Sequence, residues 1–315
     1  MIELSTLRVF LAAAEEKNFS KAAKRLHLSQ SAVSQNIQAM ERAYDVELFV
    51  RHGRSVELSE AGDTLLPIVR DVLRSARLME DSLHNIKHEV GGELLIACST
   101  SAGKYLMPSL LSMFQEKYPG VHPRVKVMSR ESVYERLLSQ KIPMGVSSKL
   151  LEHRDLECQP LFEDRIFLIV PTNHPWADYG QATPDDLVGQ RIILREEVSG
   201  TCETILQGLK KYGVTPDMLN VVMELGNPEA IEMAVERGVG IAFVSEMVAA
   251  RGLAFGRIKK VEVPDLDLRR MVYVARHVNY PFTRAQTLFW EFAQNQRENL
   301  NTEIWNSLTT FESVA

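Results

Sequence analysis

The chain has 315 residues, 45% of them hydrophobic and 24% charged, and its 36 Lys and Arg against 41 Asp and Glu give a formal net charge of −5. This balance excludes a disordered chain, and the length exceeds one ordinary core, so two or three domains are expected. The purely aliphatic or aromatic runs are short, such as Ile166 to Val170, well below the roughly 18 apolar residues that a membrane span needs. Met1 to Arg8 carries an acid and no long apolar region, which argues against a signal peptide. Cys98, Cys158 and Cys202 are widely separated, with no CxxC pair and no disulfide framework, so a reducing cytoplasm is the expected compartment.

Leu4, Leu7, Leu11 and Ala14, with Phe10 beside them, recur at helical spacing. Asn18-Phe19 breaks that pattern, and Ser20 is the expected N-cap of a short helix from Lys21 to Leu26. Ala22-Ala23 is small enough to let a second helix pass closely. His27-Leu28 makes a tight turn, and Ser29 caps a helix reaching about Tyr44. Its apolar face is Val33, Ile37 and Met40; the opposite face carries Ser31, Ser34, Gln35 and Gln38. Two short helices, a tight turn and a second helix with a polar but uncharged face form a helix-turn-helix pattern. Ser and Gln hydrogen-bond to base edges without repelling phosphate. From Lys17 to Arg54 seven basic residues face three acidic ones, a local net +4 that permits phosphate contact inside an acidic chain.

Leu48-Phe49, a Gly-centred basic turn (Arg51-His52-Gly53-Arg54) and Val56-Glu57-Leu58 predict a β-hairpin wing. Ser59 caps the next helix. There Leu65, Val69, Val72, Ala76, Met79, Leu83 and Ile86 step by alternating fours and threes, an a/d heptad seam that predicts contact with the same helix of a second copy. The alternative is packing against the chain's own N-terminal domain. Residues 88–93, with Gly91-Gly92, read as a linker.

From Glu93 onward strands alternate with helices, which predicts α/β domains. Expected strands are Leu94–Cys98, Arg124–Met128, Ile166–Val170, Arg191–Leu194, Ile241–Val244 and Met271–Ala275. Expected helices run from about Ala102 to Tyr118, from a capping box at Ser132–Glu135, from Thr183-Pro184, from Cys202 to Tyr212, from Asn227-Pro228 to Gly238, and from about Phe282 to Gln296. Residues 299–315 show little pattern.

The stretches Phe10–Ala14, Asn18–Leu26, Leu28–Ile37, Met40-Glu41, Leu48–Arg51 and Leu58–Gly62 together resemble the LysR-type transcriptional regulator signature, in register over about sixty residues. Gly103–Pro108, Phe114, Tyr118-Pro119, Pro171–Ala177 and Gly238–Gly240 resemble landmarks of the same family, so the resemblance spans roughly residues 1 to 297. It implies an α+β multidomain protein. A winged helix-turn-helix occupies 1–62 and a dimerising linker helix 63–90. A periplasmic-binding-protein-like α/β sensor occupies 93–300, and a tail 301–315. The sensor would have two subdomains, 93–162 with 268–300 and 163–267, and bind its effector in the cleft between them. In one departure, Lys141–Gly145 lacks an Asp that the family often carries before its strand.

On this resemblance the chain is a transcriptional regulator and not an enzyme. It needs no cofactor, and its partners are double-stranded DNA with an inverted-repeat operator, a second copy as homodimer and further as homotetramer, and RNA polymerase, with no membrane. Gln30, Ser31, Ser34, Gln35 and Gln38 would enter the major groove, Ser20 would stand beside them, and Arg51 and Arg54 would meet phosphate or the minor groove. Ser99-Thr100-Ser101 and Ser199-Gly200-Thr201 each precede a helix. They offer hydroxyls and N–H groups at positive helix ends, which favours an anionic effector. Ser147 and Ser148 form a weaker third wall, and Phe243 an apolar side.

Four rival readings compete. A redox sensor would use Cys202 at a helix N-terminus, but residues 203 to 212 hold no resolving cysteine. An enzyme would need a motif, and GxSxG, HExxH and the P-loop are all missing. A binding protein without DNA activity, or an architectural DNA protein, leaves one half of the chain unexplained.

Overall fold

A computed structural model describes residues 2–52, 55–85, 90–296 and 300. Arg54, Ile86 and the tail from 301 lie outside these, and of Arg51 only the backbone is described. The chain divides into two compact units, 1–89 and 90–315.

In the first unit, α1 (Leu4–Glu16), α2 (Phe19–Leu26) and α3 (Gln30–Tyr44) precede a hairpin of β1 (Phe49–His52) and β2 (Ser55–Leu58), then α4 (Glu60–Asn85). Lys17 ends α1 in the left-handed conformation (φ 48°) and His27 ends α2 likewise (φ 55°). The cap of α2 is Asn18, whose side chain accepts from the Lys21 N–H at 3.0 Å. Ser20 is an exposed residue already inside the helix, which corrects the sequence expectation. Ser29 caps α3 as expected, its Oγ accepting from the Ala32 N–H at 3.1 Å. Val33, Ile37 and Met40 are buried, each contributing about 1.5–3 kcal/mol by leaving water. Phe49 stacks against Phe10 and Phe19 at 5.4 and 5.5 Å, and the Glu41 carboxylate accepts from the Leu48 and Phe49 N–H groups at 2.9 and 3.2 Å. These contacts fix the hairpin to α1, α2 and α3. A Cβ on Gly62 would stand 2.2 Å from the Leu48 carbonyl, so only glycine lets α4 start this close to the wing.

The heptad seam on α4 divides in two. Val69 is buried in the winged-helix core, and Leu65, Leu66 and Leu73 pack against that core. Leu65 and Val69 therefore follow the alternative reading, packing on the chain's own domain. Val72, Met79 and Leu83 remain exposed, at 41%, 59% and 58%.

The second unit carries a nine-stranded sheet in the order β4-β3-β5-β11-β6-β9-β7-β8, with β10 also on β6. Its strands are β3 (Gly91–Cys98), β4 (Gly120–Val127), β5 (Met144–Ser147), β6 (Leu156–Pro171), β7 (Arg191–Arg195), β8 (Asn220–Leu225), β9 (Ile241–Ser245), β10 (Ile258–Val261) and β11 (Arg269–His277). A π-helical turn (Ala102–Leu106) leads into α5 (Met107–Lys117); then come α6 (Arg130–Leu138), α7 (Trp176–Tyr179), α8 (Gly200–Lys210), α9 (Pro228–Glu236), α10 (Glu246–Ala254) and α11 (Arg284–Asn295).

Sixteen-residue β6 spans both halves of the sheet. Residues 156–165 pair with β11, and residues 166–171 pair with β9 and β10. The chain thus crosses between subdomains at Arg165/Ile166 and returns at Leu268/Arg269, where the Ile166 N–H donates to the Leu268 carbonyl at 2.9 Å. Pro160, with no N–H for the ladder, sits at the register shift opposite Val272/Tyr273. One core packs Leu94, Leu110, Phe114 and Phe289 beneath the first subdomain. The second subdomain is covered on both faces, with Leu168, Ile192 and Phe243 on one and Ile169, Ile193 and Val244 on the other. The period-2 alternation of strands dictates that split.

Several local expectations are corrected. Gly91-Gly92 is the start of β3, paired with Gly120 and Val121, and not linker. The cap of α6 is Ser129, whose Oγ accepts from the Ser132 N–H at 3.2 Å, three residues before the expected box. Thr183-Pro184 opens only a 3-10 turn (Asp185–Leu187), because Asp186 folds back onto the Thr183 N–H and hydroxyl. Pro108 cannot donate to the carbonyl four residues back, and its ring would collide with that carbonyl. The preceding turn accommodates it by widening to π. Strands β8 and β10 and helix α10 carry no matching expectation; β8 (Asn-Val-Val-Met-Glu-Leu) and β10 (Ile-Lys-Lys-Val) lack the period-2 alternation of a strand, and α10 follows β9 without a break.

Candidate functional site

Helix α3 presents Gln30, Ser31, Gln35 and Gln38 exposed, with Ser34 half-buried between them. Its first turn holds no acidic residue. The Ser29 and Ser31 hydroxyls lie 2.9 Å apart, and Arg42 Nε donates to the Gln38 carbonyl at 3.2 Å. Lys21 and Lys24 stand exposed on α2. Arg25 is held within the domain by Glu15 and Glu16 at 2.8 and 3.2 Å. The neutral, amide-rich face of α3 matches base-edge chemistry, and the lysines of α2 match phosphate.

In the second unit, Ser99, Thr100, Ser101, Ser199 and Gly200 line one cavity of about 60 Å³. The other expected residues stand elsewhere. Thr201 is buried, and its Oγ1 accepts from Arg270 Nη1 at 2.8 Å. Ser147 is buried with no hydrogen-bond partner for its hydroxyl, and the neighbouring Ser148 lines the cavity instead. Phe243 lies in the core of the second subdomain because, on β9, alternate residues face opposite sides of the sheet.

Three arginines lining the same cavity escaped the sequence reading: Arg130, Arg195 and Arg270. Arg195 donates from Nε and Nη2 to the two oxygens of Glu196 at 2.7 and 2.6 Å. Arg270 Nε and Nη2 meet Asp164 Oδ2 at 2.8 and 2.7 Å, and Asp164 Oδ1 accepts from the Ser245 hydroxyl at 2.6 Å. Arg130 Nη1 donates to Glu203 at 3.1 Å and its Nη2 donates to the Val198 carbonyl. A sequence signal did exist. Ser129-Arg130 follows β4, Arg195 closes β7, and Arg270 opens the return strand. Strand ends in α/β sheets are where ligands bind.

Three helical stretches begin at this cavity, at residue 100, at Arg130 and at Gly200. The first N–H groups of each have no intrahelical acceptor, and each end carries about +0.5 elementary charge. The arginine charges are balanced by Glu203, Glu196 and Asp164, and Glu131 adds a further carboxylate to the lining, so the positive contribution without a side-chain counter-charge is that of the helix ends.

Burial, followed by the charges of Glu224, Glu196 and Glu197, raises the Cys202 thiol above its ordinary value. A peroxide-reactive thiol needs the opposite shift. Burial pushes Cys98 up to about 12. Among the described residues no group of three His, Cys, Asp or Glu side chains is placed to hold a metal ion, and no helix is long and apolar enough to cross a membrane.

A winged helix-turn-helix followed by a two-subdomain α/β unit with a polar cleft defines a DNA-binding regulator that carries its own small-molecule-binding domain. Residues 4–63 match the bacterial regulatory helix-turn-helix protein, lysR family, and residues 87–298 match the LysR substrate binding domain. An uncharacterized HTH-type transcriptional regulator of Methanocaldococcus jannaschii is 33% identical over 293 residues, covering 92% of this chain and 98% of the relative. The structure of full-length CbnR complexed with its target DNA is similar at a TM-score of 0.67 and 22% identity, covering 93% of this chain and 99% of that one. The regulatory domain of CcmR from Synechocystis PCC6803, in complex with 2-PG, is similar at a TM-score of 0.60 and 27% identity, covering 67% of this chain and 99% of that one. The chain belongs to the LysR family of transcriptional regulators; its relatives regulate transcription and are not enzymes.

Proposed function

We propose that this regulator senses a small anion in the cleft lined by Ser99, Thr100, Ser101, Ser199 and Gly200. The observation that carries the reading is the meeting of three helix N-termini and three guanidinium groups at one cavity of about 60 Å³, an arrangement that favours carboxylate, phosphate or sulfate. The CcmR domain, at 27% identity, holds 2-PG, which supports a small ligand at this domain. Effector binding biases the angle between subdomains 93–162 with 268–300 and 163–267, and hence the spacing of DNA-binding units in the oligomer. The protein acts in the cytoplasm on an inverted-repeat operator, with RNA polymerase as the downstream partner. Domain 1–62 reads the site and helix 63–90 joins the copies.

On DNA, Gln30, Ser31, Ser34, Gln35 and Gln38 read base edges, while Lys21, Lys24 and the wing arginines Arg51 and Arg54 supply phosphate contacts. The exposed stripe of Val72, Met79 and Leu83 supports a homodimer, with a homotetramer as the next level of assembly. Calorimetry of the full-length protein against carboxylates, phosphates, sulfate and neutral and cationic compounds tests the sensor. Binding confined to neutral or cationic compounds refutes the anion reading. A gel shift on the DNA upstream of the gene, lost in a Ser34→Ala, Gln35→Ala double variant, tests the DNA surface. A specific shift indifferent to both substitutions removes α3 as the reading helix.

A further inference from the structure

The three cleft arginines are not equivalent. Arg195 is committed to both oxygens of Glu196, its own neighbour. Arg270 is committed to the buried Asp164 and to Thr201. Arg130 differs in three ways. It opens α6 in the first subdomain, yet its partners Glu203 and Val198 belong to the second, so it bridges the cleft. Its Nε is buried and has no hydrogen-bond partner, so one donor of the fork is in hand. Its carboxylate partner, Glu203, is 38% exposed and can return to water at little desolvation cost.

Gly200 adds a fourth, independent observation. A Cβ at that position would lie 3.0 Å from Arg130 Nη1 and 2.7 Å from the Ser148 hydroxyl. The first residue of α8 has no side chain where the guanidinium crosses, so the crossing has its own reserved space.

We propose that Arg130 is the exchangeable clasp of the cleft. In the ligand-free protein it joins the subdomains through Glu203. On binding, the oxoanion head of the effector takes the place of the Glu203 carboxylate on the guanidinium, and Glu203 turns to solvent. What the ligand replaces is a carboxylate, so the head is a carboxylate, phosphate or sulfate group that accepts from the fork. Glu203 is then a built-in competitor that sets effector affinity. A hinge closed in the absence of ligand by the same cation that grips the ligand also explains why the cavity is small. This inference rests on the reading of the cleft as an anion site.

The test is calorimetry on the full-length protein with inorganic phosphate, sulfate and 2-PG as probes, in the wild type and in Glu203→Gln, Arg130→Gln and Gly200→Ala. Glu203→Gln removes the competing charge while keeping the shape. Affinity for the probes is expected to rise about tenfold in Glu203→Gln and to fall on the order of tenfold or more in Arg130→Gln. Gly200→Ala, which crowds the guanidinium, weakens binding in the same direction as Arg130→Gln. A purely structural Glu203 would give weaker or unchanged binding on substitution, never a gain. Probe binding to the wild type with no gain in Glu203→Gln overturns the clasp and leaves the anion reading standing. Failure of all three anions to bind the wild type overturns both.

Discussion

Asp164→Ala is the substitution from which the structure lets most be calculated. Asp164 is completely buried on β6, one residue before the crossing at Arg165/Ile166. Its oxygens accept from Ser245 at the end of β9 and from Arg270 on the return strand β11, and Arg270 also reaches Thr201 in the first turn of α8. Three strands therefore meet on one carboxylate, and α8 joins them through Arg270. Removing it leaves a guanidinium that is only 7% exposed without its counter-charge. Breaking a buried pair in this way costs about 3–5 kcal/mol. In a domain of about 200 residues each kcal/mol lowers the melting temperature by roughly 2–4 °C, so the expected fall is about 6–20 °C. Trp176, Trp290 and Trp305 are the chain's three tryptophans, and none belongs to residues 1–89. Tryptophan emission during a thermal ramp thus reports the sensor unit within the intact protein. The paired variant Asp164→Ala, Arg270→Met removes both charges and is expected to regain most of the loss. A fall below about 4 °C in the single variant, or a paired variant no better than the single one, refutes the reasoning.

Three further outcomes are expected. Met79→Lys and Leu83→Lys, at positions 59% and 58% exposed, lower self-association in sedimentation velocity and leave the fold intact. Val69→Ala, inside the winged-helix core, destabilises the monomer instead, by about 0.5–1.5 kcal/mol or more; equal effects from both kinds of change would contradict the division of the seam. The Cys98 and Cys202 thiols, both raised by burial, are expected to react with a thiol reagent at the rate of unfolding, so rapid labelling of the native protein at neutral pH would sink that claim. For Glu229, burial alone would raise the carboxyl, but Lys104 at 2.8 Å and the Tyr105 hydroxyl at 2.6 Å hold it below its ordinary value. Its folded value lies under its unfolded one, so its contribution is present above the unfolded carboxylate range and lost as pH falls through the folded value. Glu232, raised by burial, acts with the opposite sign and over the adjoining window above the ordinary carboxylate value, so the comparison needed is the melting temperature of Glu229→Gln against wild type as pH is lowered. The gap between them is expected to narrow with acidification, and a constant gap would mean that the pairing is not electrostatic.

The DNA-binding unit was legible in the sequence because its elements are set by local rules. The cap at Ser29, the apolar triad Val33, Ile37 and Met40, the Ala22-Ala23 contact and the hairpin all lie within a few turns of the residues that specify them. The same locality explains the misplaced caps: Asn18 and Ser20, or Ser129 and Ser132, satisfy the same capping preference, and only the backbone path decides which side chain reaches the free N–H. The α4 seam shows a different limit. A heptad pattern states that a stripe is apolar, not what covers it, and here the first two positions are covered by the chain's own wing and helices while Val72, Met79 and Leu83 are not.

The cleft was legible only in part, for a reason of chain topology. Ser99, Thr100, Ser101 and Ser199 are marked locally as hydroxyls before helices, and these four line the cavity. The arginines are marked by nothing local. Arg130 meets Glu203 73 residues away and Arg270 meets Asp164 106 residues away. The second pairing exists because β11 returns antiparallel beside β6 and sets Arg270 opposite Asp164, a register that no single segment encodes. The strand-end rule narrows the search to the residues just after β4, at the end of β7 and at the start of β11. Within that set Arg130, Arg195 and Arg270 line the cavity with Glu131 and Glu196 beside them, while Arg269 pairs with Asp267 and Glu163, and three helix N-termini at the same cavity turn attention to the cations. Combining a topological rule with a charge argument therefore recovers what periodicity alone cannot.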